Sequence, residues 1–340
     1  MISQQYKLVA PFRIESFFQD VKVQGSEHIV VRPRKLSVCK ADIRYYFGLR
    51  DPEVLKKRLP MALIHEACGE VLHDPTGEFA TGAKVVLLPN MPGKDTFYDE
   101  NYRLDSLFRS SRADGFLQEA LRINKQQVVP YTREGMDNVF AFTELISVGV
   151  HAVDSFLRYS HDRRDRIAVW GDGAVSYIIC CILKNRLPDA QITVLGINPN
   201  KLQYFGFLDN VLNVNQLETR PQFDHVFECV GGAASGKAID QMIDTIEPQG
   251  TMMLCGVSEE PVPVNTRMVL EKGLTMIGRS RSGRRDFIES VRLLEEDDTF
   301  AARMRQMISE EVDVAGTNDI SKAFELAKNA DFKVVMNWNI

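Results

Sequence analysis

Cys39, His65, Glu66 and Glu144 are the side chains of this sequence best suited to hold a metal. They supply one thiolate, one imidazole and two carboxylates, each beside apolar or small neighbours, in a chain with only six Cys and six His. A soft sulfur, a borderline nitrogen and hard oxygens together suit Zn²⁺, and a catalytic zinc keeps one position open for water or substrate. Their spacing is too wide for a local clip, so only the fold can bring them together. Spacing alone leaves the plainer alternative open, since a lone His-Glu pair is most often a surface dipeptide.

A second constellation points to a nucleotide. Arg166 to Trp170 reads as a short buried strand, Gly171-Asp172-Gly173 as a tight turn, and Val175 to Leu187 as an apolar helix. Glycines in such a turn let the backbone approach a pyrophosphate, whose charge the helix N-terminus favours. Ser176 replaces the third glycine of the usual fingerprint with a side chain small enough for close packing. A bare Gly-x-Gly occurs in many loops. What adds weight is the strand before it, the helix after it and a second strand from Gln191 to Gly196. Where an NAD-specific site places a carboxylate on the ribose, this sequence has Gly196, followed by Asn198 and Lys201. No carboxylate is expected there to repel a 2′-phosphate and Lys201 could pair with one, so NADP(H) is expected over NAD(H). The alternative for Lys201 is a solvated lysine at a helix start.

These groups need elements to position them. Further strand-like runs lie at Asp224 to Cys229, Gly250 to Gly256 and Leu274 to Gly278, with helical segments such as Gly236 to Ile246 between them. That alternation predicts an α/β fold with a doubly wound parallel sheet. Residues 1–148 contain short alternating runs, such as His28 to Pro33 and Gly82 to Pro89, and few long helices. A mostly β catalytic domain over 1–148 and a cofactor domain over 149–280 are therefore expected.

The chain resembles the zinc-dependent medium-chain dehydrogenases/reductases, relatives of the alcohol and sorbitol dehydrogenases, along its whole length. More narrowly it resembles the bacterial ribitol-5-phosphate dehydrogenases, the D-ribulose-5-phosphate reductases of wall teichoic acid and capsule synthesis. The narrow likeness is carried by Cys39 to Tyr46, Leu59 to Glu66, Phe108 to Ser111, Asp114 to Phe116, Phe223 to Gly232, Gly256 to Glu259, Asn265 to Gly273 and Ser280 to Gly283. It implies a GroES-like catalytic domain, a Rossmann domain and a return of residues 281–340 to the first domain. It also implies a homodimer joined at sheet edges near Leu274 to Gly278. The structural-zinc lobe of the superfamily uses four close cysteines. The corresponding residues 88–115 have none, so one catalytic zinc and no structural zinc is expected.

Roles follow from the resemblance. Cys39, His65, Glu66 and Glu144 would ligate the zinc, Glu66 part of the time in exchange with water. Asp42 would orient His65, a task with the alternative of a helix N-cap or turn. The hydroxyl and His of the alcohol dehydrogenase proton relay are replaced by Ala41 and Arg44, so Glu66 or Tyr45, with the zinc water, is expected to supply the proton. A sugar phosphate is a dianion, which arginine holds through paired charge-assisted bonds. Arg44, Arg281 and Ser111 are the candidates for that phosphate and Tyr45 for the hydroxyls. The arginines have the alternative of an internal ion pair or of NADP phosphate, and Arg284 and Arg285 are expected to face solvent.

Composition agrees with this reading. The 340 residues, 44% hydrophobic, suffice for two cores, and a net charge of −5 argues against nucleic acid as a partner. The purely apolar run Ile178 to Leu183 is too short to cross a bilayer, and Cys180 and Cys181 within it are expected in a core. The N-terminal residues lack the pattern of a signal peptide, and six scattered cysteines fit a reducing, cytoplasmic compartment. Pathway resemblance implies coupling to a cytidylyltransferase that makes CDP-ribitol. Two other readings stay open: an NAD-dependent sorbitol- or threonine-type dehydrogenase, and a non-catalytic binding protein on the same scaffold.

Overall fold

The computed structural model describes residues 1–22, 25–217 and 221–340. Met1–Ser147 together with Ser282–Ile340 form one compact unit, and Val148–Arg281 form the other. The chain enters the first unit through a hairpin of Ile2–Ala10 and Arg13–Asp20. Strand β1 (His28–Ser37) follows, its β-branched Ile29, Val30 and Val31 all buried, as a pleated surface favours. A short helix α1 (Lys40–Tyr46) comes next, then β2 (Glu66–His73), β3 (Lys84–Leu87) and β4 (Val128–Pro130). Helix α2 (Thr143–Tyr159) begins in this unit.

In the second unit β5 (Arg166–Trp170) leads through the glycine turn into α3 (Ala174–Arg186) and β6 (Gln191–Gly196). Then come β7 (Asn210–Asn213), β8 (His225–Glu228), α4 (Ser235–Thr245), β9 (Thr251–Leu254) and β10 (Thr275–Gly278). The six strands pair in the order β7-β6-β5-β8-β9-β10, every pair parallel. The expected doubly wound sheet is present. The edge strand β7 was not among the sequence expectations, because asparagines at both ends hide it. Helix α3 is buried continuously from Ser176 to Leu183, so Cys180 and Cys181 are core residues.

The chain returns to the first unit with β11 (Ile308–Val314), α5 (Thr317–Asn329) and β12 (Lys333–Trp338). The order of the first unit's large sheet is β11-β12-β1-β2-β3-β4, with Leu121–Asn124 also pairing β1. β12 is antiparallel to β1, and β1 to β2. The core under this sheet includes Leu36, Leu63, Ile64, Phe116, Phe324 and Val334.

Candidate active site

Strand register explains how residues distant in sequence meet. Ser37, the last residue of β1, pairs with Glu66 on one side and Val335 on the other. The chain leaving β1 therefore carries Cys39 between the start of β2 and the start of β12. Cys39 is the N-cap residue of α1 in extended conformation, and its side chain makes no cap bond, leaving the sulfur for other contacts. The ligand atoms of Cys39, His65 and Glu66 all lie within 4.8 Å of one another. Glu144, in the first turn of α2, reaches the same place, its Oε2 4.0 Å from His65 Nε2.

Asp42 supports the imidazole from the opposite side. His65 Nδ1 lies 3.1 Å from Asp42 Oδ2, which leaves Nε2 on the side of Glu144. A carboxylate behind a histidine fixes its tautomer and ring plane for a metal at the other nitrogen. Asp42 sits in the first turn of α1, yet Cys39 is the N-cap. Its carboxylate accepts instead from Ile64 N (3.2 Å) and from the Ser110 hydroxyl. Both donors belong to residues with left-handed backbone, Ile64 at φ 70° and Ser110 at φ 60°. A β-branched residue there is strained, and such strain persists only where the surroundings hold it. Here Asp42 grips the Ile64 N–H, and Phe116 N bonds Ile64 O at 2.7 Å.

Lys333, at the start of β12, was missed by sequence reasoning. The only available signal was a lysine opening an apolar run. Its Nζ lies 2.8 Å from Glu66 Oε1 and 2.6 Å from Oε2, and it is 3% exposed. Burial disfavours its charge, but Glu66, Cys39 and Glu144 raise its pKa above the ordinary value and keep it an ammonium. Burial pushes the Glu144 carboxyl up to about 7, against the pull of His65 and with the push of Glu66. Burial also opposes charge on His65 and Asp42. Asp42 and Cys39 nonetheless raise His65 well above its usual value, and His65, Ser110 and Ile64 hold Asp42 below its own. One sulfur and three carboxylates thus face two cationic side chains in a buried space. A divalent cation supplies the charge such a donor set lacks, so these residues fit zinc.

The nucleotide crevice is built from backbone. Gly171 has φ 122°, and a Cβ there would stand 2.8 Å from Cys229 O and from Ser176 Oγ. Gly173 precedes α3 in extended conformation, and a Cβ on it would meet nothing within 4 Å, leaving room for a phosphate. Ser176 is fully buried against the turn. One expectation needs correcting: a carboxylate does stand at the end of β6, supplied by the turn itself. Asp172 Oδ2 accepts from Ile197 N and Asn198 N, both at 2.8 Å. Gly196 is glycine because a Cβ would lie 2.7 Å from that oxygen. Asn198 caps the short helix Pro199–Leu202 by accepting from Asn200 N and Lys201 N, which places Lys201 in that helix, half-buried. Glu228, also unforeseen, accepts from Val230 N, Gly231 N and Gly256 N at 2.9 Å each, tying the loops after β8 and β9.

The remaining substrate candidates are divided between the units. Arg44 and Tyr45 lie on α1. Arg44 is half-buried, and Tyr45 is buried with the Arg50 guanidinium 5.0 Å above its ring. Burial and the Arg50 charge lower the Arg44 pKa. Ser111 lies half-buried in the Phe108–Asp114 loop, but it is the adjacent Ser110 that reaches Asp42. In the same loop the Phe108 ring lies 5.6 Å from that of His65. Arg281 closes the second unit, exposed and at φ 59°. Arg284, expected at the surface, is half-buried and bonds Gln126 O at 3.0 Å.

Comparison with known proteins gives the family. A profile described as zinc-binding dehydrogenase matches residues 174–296, and one described as alcohol dehydrogenase GroES-like domain matches residues 25–133. Ribulose-5-phosphate reductase 1 of Staphylococcus aureus (strain NCTC 8325 / PS 47) is 43% identical over 340 residues, 99% of each chain. The chain belongs to the zinc-binding dehydrogenases. Ribulose-5-phosphate reductase of Streptococcus pneumoniae (strain ATCC BAA-255 / R6) is 42% identical and matches 100% of this chain and 98% of its own. Among solved structures, S. aureus TarJ in complex with NADPH superposes with a TM-score of 0.89, at 39% identity and over 100% of both chains. Within this zinc-binding dehydrogenase, Cys39, His65 and Glu66 form a cluster that could hold a metal, with Glu144 4.0 Å from His65, and the Gly171–Ser176 turn leaves room for a phosphate.

Proposed function

We propose that this chain reduces D-ribulose 5-phosphate to D-ribitol 5-phosphate, taking hydride from NADPH and using one zinc ion held by Cys39, His65, Glu66 and Glu144. The observation that carries this reading is likeness at 42–43% identity, over nearly the full length, to four proteins named ribulose-5-phosphate reductases. Bound in this donor set, zinc would supply Lewis acidity toward a ketone oxygen. Every other task falls to side chains. Asp42 holds the His65 tautomer, and Lys333 holds the Glu66 carboxylate. Reduction of a ketone consumes one proton along with the hydride, and Glu66, with Tyr45, is our candidate for delivering it. Glu66→Gln with zinc retained should lower kcat about 10²-fold or more; a parental kcat rejects the role.

For the substrate phosphate we keep Arg44, Ser111 and Arg281, with Tyr45 toward the hydroxyls. Support comes from the Arg44–Arg50 neighbourhood, where two guanidinium groups repel and a dianion relieves the repulsion. An unchanged sugar-phosphate KM in Arg44→Ala and Arg281→Ala removes these residues from the pocket. Asp172 places a carboxylate at the end of β6, where NAD-specific sites keep one, so rates with NADPH and NADH belong side by side. The deciding experiment is NADPH oxidation with D-ribulose 5-phosphate against D-ribulose, with and without chelator. Phosphate- and metal-dependent turnover supports the reading, and equal rates on the two ketoses overturn it. We also assign a homodimer through β10, the terminal strand of its sheet, which light scattering of a monomer would refute. A cytoplasmic place upstream of a cytidylyltransferase, for teichoic acid or capsule, completes the assignment.

A further inference from the structure

The carboxyl ends of β8 and β9 carry two thiols that this chemistry does not use. Glu228 pairs in register with Leu254, so the next residues, Cys229 and Cys255, are neighbours across two parallel strands. Cys229 N bonds Trp170 O at 2.8 Å and Cys255 N bonds Glu228 O at 2.9 Å, which continues that alignment one residue past the ladder. Both residues are partly exposed. Adjacent strands run about 4.8 Å apart, inside the roughly 4.4–6.8 Å Cα window of a disulfide. Of the other cysteines, Cys68, Cys180 and Cys181 are buried and Cys39 belongs to the metal cluster.

We propose that Cys229 and Cys255 form a reversible oxidative modification site, at which a hydroperoxide joins them in a disulfide that closes the dinucleotide crevice. The neighbouring Cys255 thiol, burial and the Glu228 charge raise the Cys229 pKa well above its usual value. We place the first attack on Cys255: as the thiolate it takes one oxygen of hydrogen peroxide, becoming the sulfenic acid and releasing hydroxide. The Cys229 sulfur then displaces water from that sulfenic acid as its own proton leaves. Two thiols lose two electrons and two protons in total, and the peroxide becomes two waters.

Closure of the crevice follows from what the two residues are attached to. Beyond Cys229 and Cys255 the loops are already tied, Gly232 N to Val257 O and the Ser258 hydroxyl to Gly232 O, both at 2.9 Å. Dinucleotides bind outside the carboxyl ends of such strands. A disulfide draws the two Cβ atoms to about 3.8 Å, closer than the roughly 4.8 Å between the strands that carry them, so the loops beyond are pulled together. Displacement by about 1 Å costs up to about 10²-fold where groups hold a ligand. The closure rests on the reading of this unit as the NADPH-binding unit; the cross-link itself does not.

The test treats zinc-loaded enzyme with stoichiometric hydrogen peroxide, blocks free thiols and maps peptides without reduction. NADPH affinity is read by its fluorescence and zinc release by a metallochromic dye. The expected result is a Cys229–Cys255 peptide formed before zinc leaves Cys39, with NADPH binding weakened about tenfold or more. Dithiothreitol should restore binding, and C255S and C229S should each abolish both the cross-link and the oxidative loss. Singly oxidised cysteines with no joined peptide overturn the proposal, as does a joined peptide with unchanged NADPH affinity or an equal loss in C255S. A reduced protein that never binds NADPH sinks the cofactor reading and the closure together, while the peptide map still decides the cross-link.

Discussion

The metal cluster and the nucleotide crevice recruit carboxylates for opposite purposes. Around Cys39 and His65 the carboxylates crowd one another, and Lys333 and the imidazole offset them. In the crevice, Asp172 and Glu228 spend their charge on backbone N–H groups and hold loops in place. The first arrangement is electrostatically unfinished and calls for a cation. The second is satisfied, and it leaves open space beside Gly173. The two sites should therefore fail independently, and in different currencies. Removing zinc, or replacing Cys39 with Ser, should lower kcat/KM for the sugar phosphate about 10³-fold or more, the scale of several kcal/mol of Lewis-acid stabilisation. NADPH affinity, read by fluorescence, should stay at the parental value. A joint loss would show that the two sites are coupled and break the contrast.

Lys333 sharpens the same comparison through stability. Replacing it with Met leaves Glu66 buried and unpaired, which costs about 3–5 kcal/mol when one partner of a buried ion pair is removed. Denaturant unfolding of the zinc-free protein should show that loss. Adding Glu66→Gln should recover most of it, because the stranded charge is gone. If Lys333→Met unfolds like the parent, the cluster is not short of positive charge and the case for a cation weakens.

These contrasts also mark what the sequence could disclose. The crevice was legible because its chemistry is backbone chemistry: glycine spacing at Gly171 and Gly173, flanked by a strand and a helix, declares itself locally. The metal ligands were legible only by residue type, since Ser37 pairing with both Glu66 and Val335 is a long-range fact of register. Lys333 was invisible for that reason, being joined to Glu66 by a strand that returns from the far end of the chain. Asp172 was missed because the carboxylate was sought on β6 itself, whereas the turn before α3 delivers it. Strand β7 escaped because Asn210 and Asn213 read as loop, and only pairing with β6 makes them strand.

A smaller effect is expected at Gly171. Its φ of 122° and the 2.8 Å approach to Cys229 O leave no place for a methyl group. Forcing Ala into that region costs on the order of 1–3 kcal/mol. Gly171→Ala should raise the NADPH dissociation constant about tenfold or more, with zinc content unchanged. Parental affinity in this variant would mean the turn can relax, and that its glycine is not what the nucleotide requires.

The smallest expected effect separates the units by pH. His225 is fully buried in the second unit, its Nδ1 accepting from Thr251 N at 3.0 Å and its ring 4.2 Å from His161. Burial, with the His161 charge, lowers its pKa to about 4. The unfolded chain therefore takes up this proton before the folded one does. The stabilisation is full above about 6.5 and is lost progressively as pH falls toward about 4, roughly 1 kcal/mol by about pH 5.5. His65 carries the opposite sign in the zinc-free protein, because its pKa is raised. Zinc-loaded protein removes that opposing contribution, since a ligating imidazole is neutral. Urea midpoints of the loaded protein at about pH 7 and pH 5.5 should differ, and His225→Gln should narrow the gap. An equal fall in parent and variant would place the acid sensitivity outside this histidine.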